Sequence, residues 1–168
     1  MHIRGGGTRS LALDGCEEIA TAGLKGIRLY EPGALTLVAG AGTPLAEVEA
    51  LLAGEGQRLA FEPPDLRGLL GRKGDSTLGG VAAANASGPR RVQAGACRDS
   101  LIGLRLVDGS GMVVKTGGRV MKNVTGIDLV KLMAGSRGTL GVVSEVALKL
   151  TPRPETVRSE ERRVGKEC

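Results

Sequence analysis

Residues 101–116 read Leu-Ile-Gly-Leu-Arg-Leu-Val-Asp-Gly-Ser-Gly-Met-Val-Val-Lys-Thr. Leu101 to Val107 has the apolar character of a strand, Asp108-Gly109-Ser110-Gly111 is turn chemistry, and Met112 to Thr116 returns, so the stretch is a β-hairpin. Downstream, Leu140 to Leu150 reads as one long strand. Val142, Ser144, Val146, Leu148 and Leu150 fall on one face, and Val143, Glu145, Ala147 and Lys149 on the other, which argues for a sheet with one better-buried face. Pro152 and Pro154 end it, and Ile127 to Ala134 before it reads as a short helix closed by Gly135.

Working upstream, Ile27 to Tyr30 and Leu35 to Ala39 are two more strands, joined by a turn at Glu31-Pro32-Gly33. Thr43-Pro44 opens a helix, with Thr43 as cap and Pro44 at the first helical position, where a missing N–H costs nothing. Leu45, Val48, Leu51 and Leu52 give that helix an apolar face, and Gly54 and Gly56 end it. Phe61 to Ser76 reads as a loop, because Pro63-Pro64 forbids helix. Leu78 to Asn85 is a helix of small residues, able to approach another backbone closely, and Ser87-Gly88-Pro89 stops it.

The 168 residues suit one domain, and 41% hydrophobic with 24% charged residues is ordinary for a globular protein. No apolar run is long enough to span a membrane, and no secretory leader opens the chain. Glycine is abnormal at 28 residues, more than twice the usual share, with no period-three repeat that would mean collagen. Tyr30 and Phe61 are the only aromatics, so the core rests on Leu, Val and Ala, and a stacking platform for single-stranded nucleic acid is excluded. The net charge of +5 is spread without a block of like charge and reads as solvated surface. Cys16, Cys97 and Cys168 are odd in number and lack metal-ligand spacing, which fits a reducing, cytoplasmic compartment and no metal site. His2 is the sole histidine, which removes a histidine zinc site and a Ser-His-Asp triad; at the terminus it reads as a frayed side chain. Residues 157–168 are expected to be a polar tail, disordered or foreign to the domain, or else an ordinary polar connector.

Three glycine clusters remain. Gly5-Gly6-Gly7-Thr8 can aim successive backbone N–H groups at one anion, or can be a flexible turn. Thr77-Leu78-Gly79-Gly80 starts a helix, where N–H groups and the dipole favour an anion, or is simply a capped, tightly packed helix. Gly135-Ser136-Arg137-Gly138-Thr139-Leu140-Gly141 would let a planar ring lie against the following strand, or is a tight turn. Neither G-x-G-x-x-G between strand and helix nor G-x-x-x-x-G-K-[ST] occurs. Taken together, the clusters point to a ligand with two phosphates and flat rings, gripped mostly by backbone.

In this order the clusters resemble the FAD-binding domain of vanillyl-alcohol-oxidase (PCMH-type) enzymes, and among these the FAD-binding subunits of the glycolate oxidase group. The resemblance runs from Ile3 to Pro154. It is carried by Arg4 to Thr8, Ala39 to Leu45, Phe61-Glu62-Pro63-Pro64, Thr77 to Gly80, Ser87 to Arg91, Val120 to Gly126 and Gly138 to Val142. It implies a two-subdomain α+β fold with FAD between the subdomains, here incomplete at the N-terminus and lacking a C-terminal cap domain. It implies that Gly5, Gly6, Gly7 and Thr8 hold the diphosphate and that Thr77, Leu78, Gly79 and Gly80 complete the grip. Ser87 and Gly88 would lie along the flavin, Gly141, Val142 and Val143 would meet a ring through backbone atoms, and Asp99 would be an acidic site residue. Asp75, close to the diphosphate, would need Lys73 or Arg72 to neutralise it.

The activity implied is oxidation of a small 2-hydroxy acid, glycolate to glyoxylate, with hydride transfer to FAD and onward electron transfer through other flavin and iron–sulfur subunits. No catalytic residue is assigned within the chain. The alternatives are a D-lactate-type flavin dehydrogenase of the same fold, a non-catalytic FAD-binding fragment, and a basic nucleic-acid-binding protein, the last disfavoured by the missing aromatics and unclustered charge.

Overall fold

The computed structural model of the chain describes residues 2–9, 15–118 and 127–157. The first half runs β1 (His2–Arg4), β2 (Glu18–Ala20), β3 (Ile27–Glu31), β4 (Thr36–Gly40), α1 (Leu45–Gly54), β5 (Gln57–Arg58), α2 (Arg67–Leu70) and α3 (Leu78–Ala83). The second runs α4 (Arg91–Ala94), α5 (Cys97–Ser100), β6 (Leu101–Val107), β7 (Val113–Gly117), α6 (Leu129–Met133), β8 (Val142–Lys149) and β9 (Thr151–Pro152). Five strands form an antiparallel sheet in the spatial order β3-β4-β8-β6-β7. β1 and β2 make a separate parallel pair, and β5 pairs with β9. The expected α+β class holds.

Central strands carry the core. β4 is buried along its whole length, as its continuous run Thr-Leu-Val-Ala-Gly requires. Leu37, Val48, Leu52, Phe61, Val81, Val146 and Leu148 are fully enclosed in one cluster that joins β4 and β8 to α1 and α3. With Phe61 the only phenylalanine, Leu, Val and Ala side chains, joined by Cys97 and Met133, fill the rest of this cluster.

The hairpin forms where the sequence places it. Asp108 Oδ1 closes the turn, accepting hydrogen bonds from the Ser110 N–H (2.8 Å), the Ser110 hydroxyl (2.6 Å) and the Met112 N–H (3.0 Å). These bonds hold the Asp108 carboxyl below its usual range.

Three readings need correction. The strict alternation along β8 fails because Arg105 pairs with Glu145 while Leu106 pairs with Val143, leaving Ser144 as an extra residue. This bulge brings Val143 to the same face as Val146, and both join the core. Thr43 does not cap α1: its Oγ1 accepts the Gly26 N–H at 3.0 Å, and Pro44 stands one residue before the helix, whose first N–H, from Leu45, is taken by the Ser76 carbonyl at 2.7 Å. The segment 61–76 contains the helical turn α2, because Asp65 Oδ1 accepts the Arg67 N–H and Gly71 supplies a left-handed terminus at φ +59°. The Val120 to Gly126 motif and the tail from Arg158 onward lie outside the described residues.

Candidate functional site

The site begins where β1 ends. Gly5 and Gly6 lie flat on the segment Asp75–Thr77: a Cβ on Gly6 would stand 1.5 Å from the Asp75 carbonyl oxygen, and one on Gly5 2.6 Å from Thr77 Oγ1. Gly7 adopts φ +69°. Among the described residues, no protein acceptor takes the N–H of Gly5, Gly6, Gly7 or Thr8. Four successive open donors on a loop held by backbone contact are an anion nest. The glycines also have a second role, since any side chain at Gly6 pushes the loop off its support.

The second cluster behaves differently from expectation. The start of α3 offers no free donors: the Leu78 N–H goes to the Thr43 carbonyl (3.0 Å), the Gly79 N–H to the Ala41 carbonyl (2.7 Å) and the Gly80 N–H to Thr77 Oγ1 (3.3 Å). Thr77 is thus the N-cap. Gly79 is glycine because α3 packs backbone to backbone, a Cβ there falling 2.6 Å from that of Ala41. Thr77, Gly79 and Gly80 wall the site, while the Leu78 side chain points into the core.

The third cluster closes on the first. A Cβ on Gly138 (φ +83°) would lie 3.0 Å from Ile3 Cδ1, and the Arg137 N–H donates to the Ala83 carbonyl at 2.8 Å. The three clusters thereby border one cavity of about 670 Å³, a size usual for a bound cofactor or drug-sized ligand. Gly5, Gly6, Gly7, Thr8, Ser87, Gly141 and Val143 line it. A smaller cavity of about 340 Å³ shares Gly5, Gly6 and Thr77 as its wall.

Four expected residues stand elsewhere. Asp99 caps α5, its Oδ2 accepting the Ala96 N–H at 2.8 Å. Gly88 is packed against Glu62, whose carbonyl oxygen would meet a Cβ at 2.5 Å. Val142 pairs with Val107 at the start of β8, and Leu78 is in the core. Ser87 borders the cavity with its hydroxyl already committed, donating to the Asn85 carbonyl and accepting the Cys97 N–H.

Charge in the larger cavity is one-sided. Among the described residues, Arg9, Arg91 and Arg137 line it and no aspartate or glutamate does. The sequence reading gave none of these arginines a site role, although Arg9 directly follows the glycine run, Arg91 ends the Ser87 to Arg91 stretch and Arg137 lies within the third glycine cluster. His2 is not a frayed end: its N–H donates to the Glu17 carbonyl at 2.7 Å, and the residue borders the cavity. Asp75 faces the smaller cavity, and its partner is neither Lys73 nor Arg72 but Arg67, 3.9 Å away. Arg67 is held mainly by Asp65, whose carboxyl its hydrogen bonds lower to about 2. Open amides, excess guanidinium and no carboxylate suit a dianionic diphosphate.

The FAD binding domain family matches residues 1–117. The chain is 42% identical to glycolate oxidase subunit GlcE of Escherichia coli (strain K12) across 84% of its own length and 39% of that protein. It is 43% identical to the D-lactate dehydrogenase of Anaerostipes hadrus across 50% of its length and 18% of that protein. The chain thus spans well under half of these relatives. Its fold is similar to that of alkyldihydroxyacetonephosphate synthase, with a TM-score of 0.70 at 23% identity, over 92% of this chain and 28% of that one. With a matched domain over most of its residues and a cavity whose donors suit a diphosphate, the chain belongs to the FAD-binding-domain family that FAD-linked oxidoreductases of the glycolate oxidase and D-lactate dehydrogenase kind carry.

Proposed function

We propose that the chain is the FAD-binding portion of an oxidoreductase acting on a small 2-hydroxy acid, with glycolate to glyoxylate as the first reading. The observation that carries the cofactor assignment is the cavity itself: among the described residues, it has N–H groups from Gly5 to Thr8 without a protein acceptor, three arginines and no carboxylate. In this reading Gly5, Gly6, Gly7 and Thr8 hold the diphosphate through backbone donors. Thr77, Gly79 and Gly80 support them from behind, and Gly141 and Val143 lie beside a flat ring. The bound flavin supplies the two-electron acceptor. The protein's part is to orient the ring and exclude water, which the small side chains of α3 favour by allowing close approach. We assign no catalytic base to this chain; among the described residues, no carboxylate lines the larger cavity.

The substrate class rests on the GlcE relative, and the D-lactate dehydrogenase relative supports a D-lactate-type enzyme as the second reading. Because the first relative is named as an oxidase subunit, the proposed partners are further flavin and iron–sulfur subunits. The free thiols of Cys16 and Cys97 fit the cytoplasmic location expected from sequence. The test is titration of the purified chain with FAD, followed by flavin fluorescence and visible absorbance. Dye reduction with glycolate, D-lactate and L-lactate is then measured in the presence of its co-purifying subunits. Failure to bind flavin overturns the cofactor assignment. Turnover of D-lactate well above glycolate selects the second reading.

A further inference from the structure

Arg9 holds an unusual position. Its Nη1 donates to Ser76 Oγ at 2.8 Å and its Nη2 to the Pro64 carbonyl at 2.6 Å, both neutral acceptors. Its Nε is shielded from solvent, with no partner among the described residues. None of the ion pairs among the described residues includes Arg9. The contrast with Arg4, on the other side of the same loop, is direct, since Arg4 is matched by Glu18 at 3.3 Å. A partly buried guanidinium normally has a counter-ion, because leaving the charge unmatched in a low-dielectric setting is costly. Burial depresses the Arg9 pKa from its ordinary value, and the Asp65 carboxylate, too distant for an ion pair with Arg9, offsets this only in part. The side chain follows directly on the open donors of Gly5 to Thr8 and lines the same cavity.

Resting on the FAD reading above, we propose that Arg9 is the charged ligand of the cofactor's diphosphate: its guanidinium charge complements the backbone donors of Gly5 to Thr8, and its two Nη bonds fix the loop that presents them. The carbonyl and hydroxyl it already holds lie on segments 64 and 76, so Arg9 fastens the nest to both neighbouring loops while its charge remains available to an anion.

The experiment compares the wild-type chain with Arg9→Gln, Arg9→Lys and Ser76→Ala, using FAD, riboflavin and inorganic diphosphate as probes. Arg9→Gln raises the Kd for FAD by about 10- to 100-fold, the loss expected of one charge-assisted hydrogen bond. It leaves the Kd for riboflavin, which has no phosphate, within about twofold of wild type. Arg9→Lys recovers part of the FAD affinity by keeping the charge. Inorganic diphosphate displaces FAD from the wild type more readily than from Arg9→Gln, and the wild-type Kd for FAD rises more steeply with salt. Equal weakening of FAD and riboflavin by Arg9→Gln shows a merely structural strut and overturns the proposal, as does unchanged FAD affinity. Ser76→Ala, which loses one strut bond and keeps the charge, separates the two roles: weakening as severe as in Arg9→Gln also overturns it. A wild-type chain that binds no FAD sinks the cofactor reading itself, whereas FAD binding insensitive to Arg9 sinks this assignment alone.

Discussion

Replacing Gly6 by alanine tests whether the glycine loop works by its position. The added methyl would sit 1.5 Å from the Asp75 carbonyl oxygen and 2.7 Å from its carbon. Ordinary contact needs roughly 3.5 Å, so loop and support must part by about 2 Å. Backbone, unlike the far end of a side chain, has no rotamer through which to yield. The loop leads from a parallel pair, β1–β2, outside the five-stranded sheet, so the loop gives way rather than the core. The stability cost is therefore modest, about 1–3 kcal/mol, as for other overpacked sites. Binding suffers more: a 2 Å displacement carries the N–H groups of Gly5 to Thr8 beyond hydrogen-bonding range of an anion, and losing two charge-assisted bonds weakens FAD affinity by about 100-fold or more. The assay is flavin fluorescence quenching beside denaturant unfolding. Gly33→Ala is the control, since a methyl there meets nothing within 4 Å. Wild-type FAD affinity in Gly6→Ala would refute the reasoning, because the nest would then tolerate displacement.

Three further outcomes are expected. Thr43→Val removes the acceptor of the Gly26 N–H at a fully buried position and costs about 1–3 kcal/mol in urea unfolding, with little change in m-value. Asp65 titrates near 2 in the folded chain, so its bond to Arg67 contributes stability above the ordinary carboxylate pKa of 3.8, and that contribution disappears as pH falls towards about 2; carboxyl NMR should find the midpoint there, and back in the ordinary range in Arg67→Gln. Cys97, with its thiol pushed up to about 12 by burial, resists alkylation at mildly alkaline pH while exposed Cys16 reacts, and becomes labelled only on unfolding, as mass spectrometry of the peptides will show.

Much of the molecule was legible locally. Asp108-Gly109-Ser110-Gly111 announces its own turn, because the carboxylate that closes it is two to four residues from its donors. The continuous apolar run of β4 and the small residues of α3 likewise state their burial in their composition. The turn α2 was missed because Pro63-Pro64 dominates the reading, although Asp65 and Gly71 bracket a helical turn in sequence. The role of Thr43 was misread for a different reason: Ser and Thr beside a helix start are capable caps, and only the position of Gly26 redirects the hydroxyl.

Sequence alone determined the central strands, the helices α1, α3 and α6, the glycine clusters and the class of ligand those clusters suit, since each depends on dihedral freedom and periodicity within a few residues. Tertiary structure decided which donors remain open and which side chains face the cavity. The amides of Leu78 and Gly79 are consumed by carbonyls of Thr43 and Ala41, more than thirty residues away in the chain, while among the described residues no acceptor takes those of Gly5 to Thr8. The Ser144 bulge likewise turns Val143 inward through its pairing with β6. A hydrogen bond is claimed by whichever acceptor the fold brings nearest, and that competition is settled only when distant segments meet.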